Sequence, residues 1–313
     1  MTAEQNIRLN SILRAEINLP CPAEGDAYRQ LGRGWFTQAV GSLAGALGDG
    51  FDYGLDLTAP ALANKGSGPF GAPGTLWASF LYYKTTRRRQ RLVATYFSPA
   101  NWHDFLQELD NRPLDARLQL ALLDDEGQPG EPWLEVSATR DDDAPGVVSL
   151  IAVRTTEEFQ DPATADDAQR RWESFLRHQV ESRGSVLYAS VADDADYITG
   201  RTALEDGLGL LPGDTLPELE TTLRGYGWLT VCSPGVLTAL GGVPALRAGG
   251  AFAEVAPLPG GGAWLKATDR IHAYTDARVR AVFDALAPVL PPGKPVPSIA
   301  SETCRLVYEA PVQ

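Results

Sequence analysis

The feature that most constrains the fold is the succession of short strand-like runs and single helices from residue 75 onward. Runs rich in β-branched and aromatic residues predict strands at 75–84, 91–98, 116–123, 132–139, 147–155, 185–192, 225–232, 251–258, 262–268 and 304–309. Apolar residues at helical spacing predict helices at 99–109, 163–182, 234–240 and 275–288. Consecutive strands with helices between groups of them are typical of an α+β protein with antiparallel sheets.

Two pairs of segments share a pattern. VATYFSPANWHDFLQEL (93–109) and GWLTVCSPGVLTALGG (227–242) both have a strand, Ser-Pro and a helix, while PWLEVSATRD (132–141) matches AWLKATDR (263–270). The serines lie 135 positions apart and the tryptophans 131. This nearly constant offset predicts internally duplicated, ferredoxin-like halves of βαββα type. The rival interpretation is a coincidence of common strand–helix patterns.

The first 75 residues differ from the rest. Apolar spacing predicts helices near 3–16 and 26–47, and the glycine- and proline-rich stretch at 59–74 is typical of a loop. We therefore predict a helical N-terminal extension followed by two α+β halves. The predicted units are 1–75, 76–184 and 185–313.

Composition limits the classes of function. The net charge of −13 argues against a nucleic-acid-binding protein, which needs cationic surface, and suits a basic partner. The three cysteines are too far apart to indicate a disulfide framework or a zinc site, which fits a reducing cytoplasm. The polar N-terminus and the lack of a long apolar run predict a cytoplasmic protein without a membrane span.

Cys232 and Ser233 stand where a hydrolase places its nucleophile, at a strand-to-helix turn. A nucleophile elbow needs a small residue two positions before the serine, but Val231 is there. Serine followed by proline is also the pattern of a helix N-cap, and Ser98-Pro99 repeats it without a cysteine. We interpret Ser233 as a cap and predict no catalytic residue, no cofactor and no metal site.

Charged clusters are the candidate partner-binding residues. The acidic members follow strand-like runs, so they are solvated loop tips or, if they share one side of the molecule, an acidic surface for a basic protein. The arginines stand at a predicted hairpin tip, where they protect an edge strand or bind phosphate or carboxylate groups. These candidates are Asp141, Asp142, Asp143, Asp193, Asp194, Asp196, Arg87, Arg88 and Arg89.

The C-terminal part contains RGYGWLTVCSPGVLTALGGVPAL (224–246), AFAEVAPLPGGGAWLKATDR (251–270) and LAPVLPPG (286–293). With these motifs the chain resembles the bacterial type VI secretion immunity proteins, best over 223–293. The resemblance implies a cytoplasmic, non-enzymatic protein that binds and neutralises a protein partner such as a basic toxin. Homodimerisation stays open. The alternatives are a hydrolase- or transferase-like enzyme with a pocket between the N-terminal extension and the duplicated body, and a structural or adaptor component of a secretion or injection system.

Overall fold

Ten strands form a single sheet in the computed structural model, which describes residues 9–21, 27–45, 47, 68–86, 89–96, 98–111, 115–195 and 199–296. The strands are β1 (Ile12–Pro20), β2 (Leu76–Thr86), β3 (Arg89–Tyr96), β4 (Asp115–Leu123), β5 (Pro129–Arg140), β6 (Val147–Thr155), β7 (Tyr188–Ala192), β8 (Leu229–Cys232), β9 (Glu254–Pro257) and β10 (Ala263–Lys266). The α-helices of the described residues are α1 (Ala27–Leu43), α2 (Pro99–Glu108), α3 (Glu157–Gln160), α4 (Ala165–Glu181), α5 (Ala203–Leu208), α6 (Pro212–Thr215), α7 (Pro234–Ala239), α8 (Gly242–Gly249) and α9 (Asp276–Leu286). Short 3-10 helices cover Leu109–Asn111, Leu216–Glu218, Ile271–Ala273 and Ala287–Val289.

The sheet order is β3-β2-β4-β5-β6-β1-β7-β8-β10-β9, and each neighbouring pair is antiparallel. The predicted α+β class with antiparallel pairing is confirmed. The strand predicted at 304–309 lies outside the described residues. Strands β3 and β9 form the two edges of the sheet, while β1 lies in its interior between β6 and β7.

Strand β1 corrects the prediction for the N-terminal segment. A helix near 3–16 is wrong for residues 12–16, because the chain is extended from Ile12 to Pro20. Leu13, Ala15 and Ile17 alternate with polar residues, and this period of two places them together on one buried face. The helix predicted at 26–47 is confirmed as α1. Residues 1–75 therefore supply an interior strand of the sheet as well as a helix.

The predicted duplication does not match the sheet. The sequence offset would make β3, β4 and β5 equivalent to β8, β9 and β10. The pairs β4–β5 and β9–β10 correspond, but β3 lies at an edge beside β2 alone, whereas β8 lies between β7 and β10. The ten strands form one continuous sheet, and no duplication is shown. The division into three units stays a prediction.

Long helices cover one face of the sheet, which we call the first face and which contains Leu13, Ala15 and Ile17 of β1. Aromatic contacts link the helices to one another: the rings of Trp35 (α1) and Phe175 (α4) are 5.1 Å apart. Helix α4 also reaches β10, where the guanidinium of Arg177 lies 4.5 Å from the Trp264 ring centre. The core on the first face therefore extends along the sheet as far as β10.

The opposite, second face carries Arg14, Glu16 and Asn18 of β1. It is buried over β7, β8 and β10, where Tyr188, Thr230 and Leu265 are at most 1% exposed. Over β2, β3 and β4 the same face reaches solvent: Leu92 is 48% exposed and the Arg117 side chain 33%. This partly open region is where a polar cleft forms.

Candidate functional site: a polar cleft on the second face

Strand register gathers polar side chains on the second face. Three cross-strand rows run from β1 through β6 and β5 to β4. They are Arg14–Val153–Glu135–Gln119, Glu16–Ile151–Ser137–Arg117 and Asn18–Ser149–Thr139–Asp115. Because side chains in one row of a sheet are direct neighbours, charges that are far apart in sequence meet here.

An ionic cluster forms the buried end of the cleft. Arg14 donates to Glu16 across 2.7 Å, and Arg224 donates to the other oxygen of Glu16 and, at 2.8 and 2.9 Å, to Glu205. All four side chains are at most 2% exposed. Arg14 and Arg224 also bind the carbonyl oxygen of Gly200 at 3.0 and 2.9 Å. The cluster therefore ties residues 200–224 against β1.

Local structure positions Glu205 within this cluster. Thr202 begins α5 with a capping box: its hydroxyl accepts from the Glu205 backbone N–H, and its own N–H donates to the Glu205 carboxylate at 2.7 Å. The Thr215 hydroxyl donates to the same carboxylate. Burial alone would lower the pKa of Arg224, but the carboxylates of Glu16 and Glu205 overcome it and raise that pKa above its usual value. The guanidinium is thus permanently charged.

The cleft beside the cluster has a volume of about 190 Å³. Its exposed charges centre on Arg117, which donates to Asp115 at 2.9 and 3.1 Å and lies 3.5 Å from Glu135. Burial raises the pKa of Asp115, and Arg117 offsets this only in part. Asp115, Arg117 and Glu135 together carry one net negative charge, while the nearby Arg140 and Asp141 cancel.

A second cavity of about 210 Å³ continues from Glu135 toward the C-terminal end of β4, where Ala121 lies. Trp77 and Trp133 line it on either side of Ala121, since the three residues form one cross-strand row. Trp77 packs against Phe70 with ring centres 5.8 Å apart. The cleft thus has a charged part and an aromatic part that meet at Glu135.

A more open groove of about 580 Å³ lies between α1 and α4. Its lining includes Ser42 of α1 and Arg171, Phe175 and His178 of α4. This is the position where the enzyme alternative expected a pocket. Arg171 is already paired with Glu158 at 2.6 Å.

The predicted acidic residues do not form one surface. Asp141 lines the cleft, and the loop that follows it comes close to α6, because a Cβ on Gly213 would lie 3.1 Å from Asp143. Asp142 is exposed in the same loop. Asp193, by contrast, is 4% exposed and accepts from the Asn10 backbone N–H at 3.1 Å, so it is not a solvated loop tip.

The two acidic loops lie at opposite ends of β1. Ala192, just before Asp193 and the half-buried Asp194, pairs with Arg14, whereas Val147, just after the loop that holds Asp141, pairs with Pro20. Six residues of strand separate these levels, or roughly 20 Å at about 3.4 Å per residue. Only the 141–143 loop belongs to the cleft.

Of the predicted arginines, Arg89 lies at the same sheet end as the 141–143 loop but several strands away. Arg89 begins β3 and pairs with Thr86. Arg87, Arg88 and Asp196 lie outside the described residues. The partner-binding role of all these charged residues stays a prediction.

The Cys232–Ser233 turn has a structural role. The Ser233 hydroxyl accepts from the Val236 N–H at 3.2 Å and donates to the Glu220 carbonyl at 2.9 Å. Burial raises the pKa of Cys232 to about 11, which keeps its thiol protonated near neutral pH. The predicted cap is therefore confirmed, and Ser98 caps α2 in the same way through the Asn101 N–H.

The described ranges contain neither a cluster of metal ligands nor a helix that could span a membrane. No group of three or more His, Cys, Asp or Glu side chains there could hold a metal ion. None of the helices in those ranges has the length and apolar character that a bilayer crossing requires.

Sequence reasoning missed the ionic cluster. A signal existed in β1, where Arg14, Glu16 and Asn18 alternate with apolar residues and would share one face of a strand. No local signal marks Arg224, which is 208 residues from Glu16.

No protein-family model matches the chain, and no curated protein matches it. Among solved structures the chain is similar to the Pseudomonas aeruginosa T6SS protein PA0821, with a TM-score of 0.51 and 14% sequence identity. The match covers 96% of this chain and 79% of that one. At this identity the likeness shows a shared fold.

Proposed function

We propose that the chain is a cytoplasmic, non-enzymatic binding protein of the immunity type, which neutralises a basic protein partner by covering it with the second face of the sheet. The observation that carries the proposal is the charged part of the cleft. Asp115, Arg117 and Glu135 are held in place by one another, lie on a partly open sheet face, and have one negative charge in excess. A preorganised surface of this kind binds an oppositely charged partner with little ordering cost.

The raised pKa of Asp115 supports a basic partner in particular. Its raised pKa means that the folded protein keeps this carboxylate charged at a cost, because it is partly buried and, among the described residues, Arg117 compensates that burial only in part. A cation supplied by a partner would relieve that cost. The low isoelectric point, about 4.7, would also attract a basic protein from a distance.

The structural similarity favours a role in type VI secretion. The neighbour in the comparison is described as a T6SS protein, and its fold extends over nearly all of this chain. An immunity protein and an adaptor of the same system would both bind a protein, but only the immunity protein would abolish its toxicity.

The test is co-expression of the tagged chain with the product of the adjacent reading frame. We expect a stable complex in size-exclusion chromatography and protection of bacteria from that product. Protection should require at least one copy of the chain per copy of the toxin. Protection at substoichiometric amounts, or a covalent change in the toxin by mass spectrometry, would favour the enzyme alternative. A complex without protection would favour the adaptor.

Charge variants test the surface. Asp115→Lys should weaken the complex by about tenfold or more, because it replaces an attractive contact with a repulsive one. The matched control is Asp166→Lys on α4, on the opposite face of the sheet, whose 57% exposed side chain pairs with the exposed Arg270. Equal affinity for both variants would refute the second face as the binding surface.

A further inference from the structure

The aromatic part of the cleft has the dimensions of a site for one side chain. Its volume of about 210 Å³ is below the ~300–1,000 Å³ typical of small-molecule pockets. The cavity exists because Ala121 is small and stands in a row between two tryptophans, Trp77 and Trp133. Large flanking indoles and a small central residue leave a notch between the two tryptophans.

Aromatic packing fixes the Trp77 side of the notch. Trp77 is 8% exposed and packs against Phe70 and Tyr96, with ring centres 5.8 and 6.2 Å away. Its indole N–H finds no hydrogen-bond acceptor among the described residues. Trp133 is half-buried on the other side of the notch.

The end of the notch is anionic. Glu135 is 8% exposed and accepts a hydrogen bond from Gln119 at 2.7 Å. Among the described residues Glu135 pairs with the cation Arg117, at 3.5 Å, and that arginine makes its shorter contacts with Asp115. Glu135 is thus a carboxylate beside the two tryptophans, and it shares its cation, Arg117, with Asp115.

These features select the ligand. An anion would be repelled by Glu135, and a purely apolar group would bury that carboxylate further without adding a cation to compensate it. A guanidinium satisfies both parts, since its planar group stacks on an indole and its N–H fork fits a carboxylate.

We propose that the notch between Trp77 and Trp133 binds an arginine side chain of the partner, with its guanidinium stacked on indole and hydrogen-bonded to Glu135. This rests on the proposed function for its biological source. An interface of this kind commonly has one arginine or aromatic anchor in a closed pocket, surrounded by weaker contacts.

The test uses a probe that needs no partner protein. The wild-type chain is titrated with N-acetylarginine amide and, separately, with N-acetylcitrulline amide, which has nearly the same shape and no charge. Indole N–H signals in NMR spectra report binding, and Trp77→Phe and Trp133→Phe variants assign them. We expect saturable shifts of these two indoles with the arginine probe, and at least about tenfold weaker binding of the citrulline probe. Equal affinity for both probes, or shifts confined to other tryptophans, would overturn the proposal.

Two variants sharpen the result. Glu135→Gln should weaken the arginine probe to the level of the citrulline probe, and Ala121→Leu should abolish both by filling the notch. Asp166→Lys is the control and should bind the arginine probe as the wild type does. Unchanged binding in Ala121→Leu would overturn the assignment.

The two proposals can fail separately. If the partner binds but Glu135→Gln and Ala121→Leu leave both probe and partner affinities unchanged, the notch is refuted and the proposed function stands. If the probe binds as expected but no partner is neutralised, the notch stands and the proposed function is refuted.

Discussion

Replacing Arg224 with methionine removes the cation that joins the two carboxylates of the buried cluster. Arg224 is 1% exposed and donates to Glu16 and to both oxygens of Glu205. Methionine is also long and flexible, so the expected loss comes mainly from the charge and less from a cavity. We expect Arg224→Met to lower the free energy of unfolding.

The size of this loss follows from the hydrogen-bond and ion-pair partners that Glu16 and Glu205 keep in Arg224→Met. Glu16 retains Arg14 at 2.7 Å and the Asn18 amide at 3.0 Å, so it stays compensated. Glu205 retains neutral partners in the described structure, chiefly the Thr202 N–H at 2.7 Å. One buried charge is therefore left without a cation, which costs about 3–5 kcal/mol.

The assay is urea unfolding, followed by tryptophan fluorescence and far-UV circular dichroism. Adding Glu205→Gln to Arg224→Met should restore about 1 kcal/mol or more, because it removes the orphaned charge. The control Arg280→Met breaks an exposed pair with Asp284 and should cost less than about 0.5 kcal/mol. A loss below about 1 kcal/mol in Arg224→Met, or further destabilisation on adding Glu205→Gln, would refute the reasoning.

Three further predictions concern the turn that begins α7. In urea unfolding, Ser233→Ala should lower the free energy of unfolding by about 1–3 kcal/mol and Ser98→Ala by about 1 kcal/mol. The loss is larger for Ser233 because it is fully buried and its hydroxyl also donates to a carbonyl, and equal losses for the two variants would contradict this. Gly235→Ala should lower the free energy of unfolding by about 1–3 kcal/mol or more, because its Cβ would lie 2.1 Å from a backbone carbonyl oxygen. The control Gly249→Ala meets no atom within 4 Å and should change the free energy of unfolding by less than about 0.5 kcal/mol. Burial raises the pKa of Cys232 from 9.0 to about 11, so the unfolded chain loses the proton first and stability should fall by about 1.4 kcal/mol per unit between pH 9 and 11. The fall should be smaller in Cys232→Ala, and equal slopes in parallel urea titrations would argue against the buried thiol.

Most elements could be predicted because their signals are local. The sequence predicts a strand at 132–139, and β5 spans Pro129–Arg140; it predicts a helix at 163–182, and α4 spans Ala165–Glu181. The exception is β1. Apolar residues at positions 7, 9, 12 and 13 imitate helical spacing, and only pairing with β6 and β7 makes the segment a strand. Tertiary pairing overrides a weak local preference in such cases.

Sheet order could not be predicted because similar local patterns can occupy different places in a sheet. Ser98 and Ser233 each cap a helix after a strand, with the same hydrogen bond to the N–H three residues later. Yet the strand before Ser98 lies at an edge and the strand before Ser233 lies inside. The shared pattern therefore records the chemistry of capping and carries no information about topology.

Burial separates the two groups of charges on the second face by role. Arg224 and Glu205 are at most 1% exposed, so a partner cannot reach them, and removing one of them leaves a charge in the interior. Arg117 is 33% exposed and Asp115 20%, so their ion pair exchanges with solvent and can accept an added cation. The buried cluster therefore fixes residues 200–224 as a wall of the cleft, and the half-exposed charges remain available for recognition. Substitutions in the first group should lower stability before affinity, and substitutions in the second should lower affinity before stability.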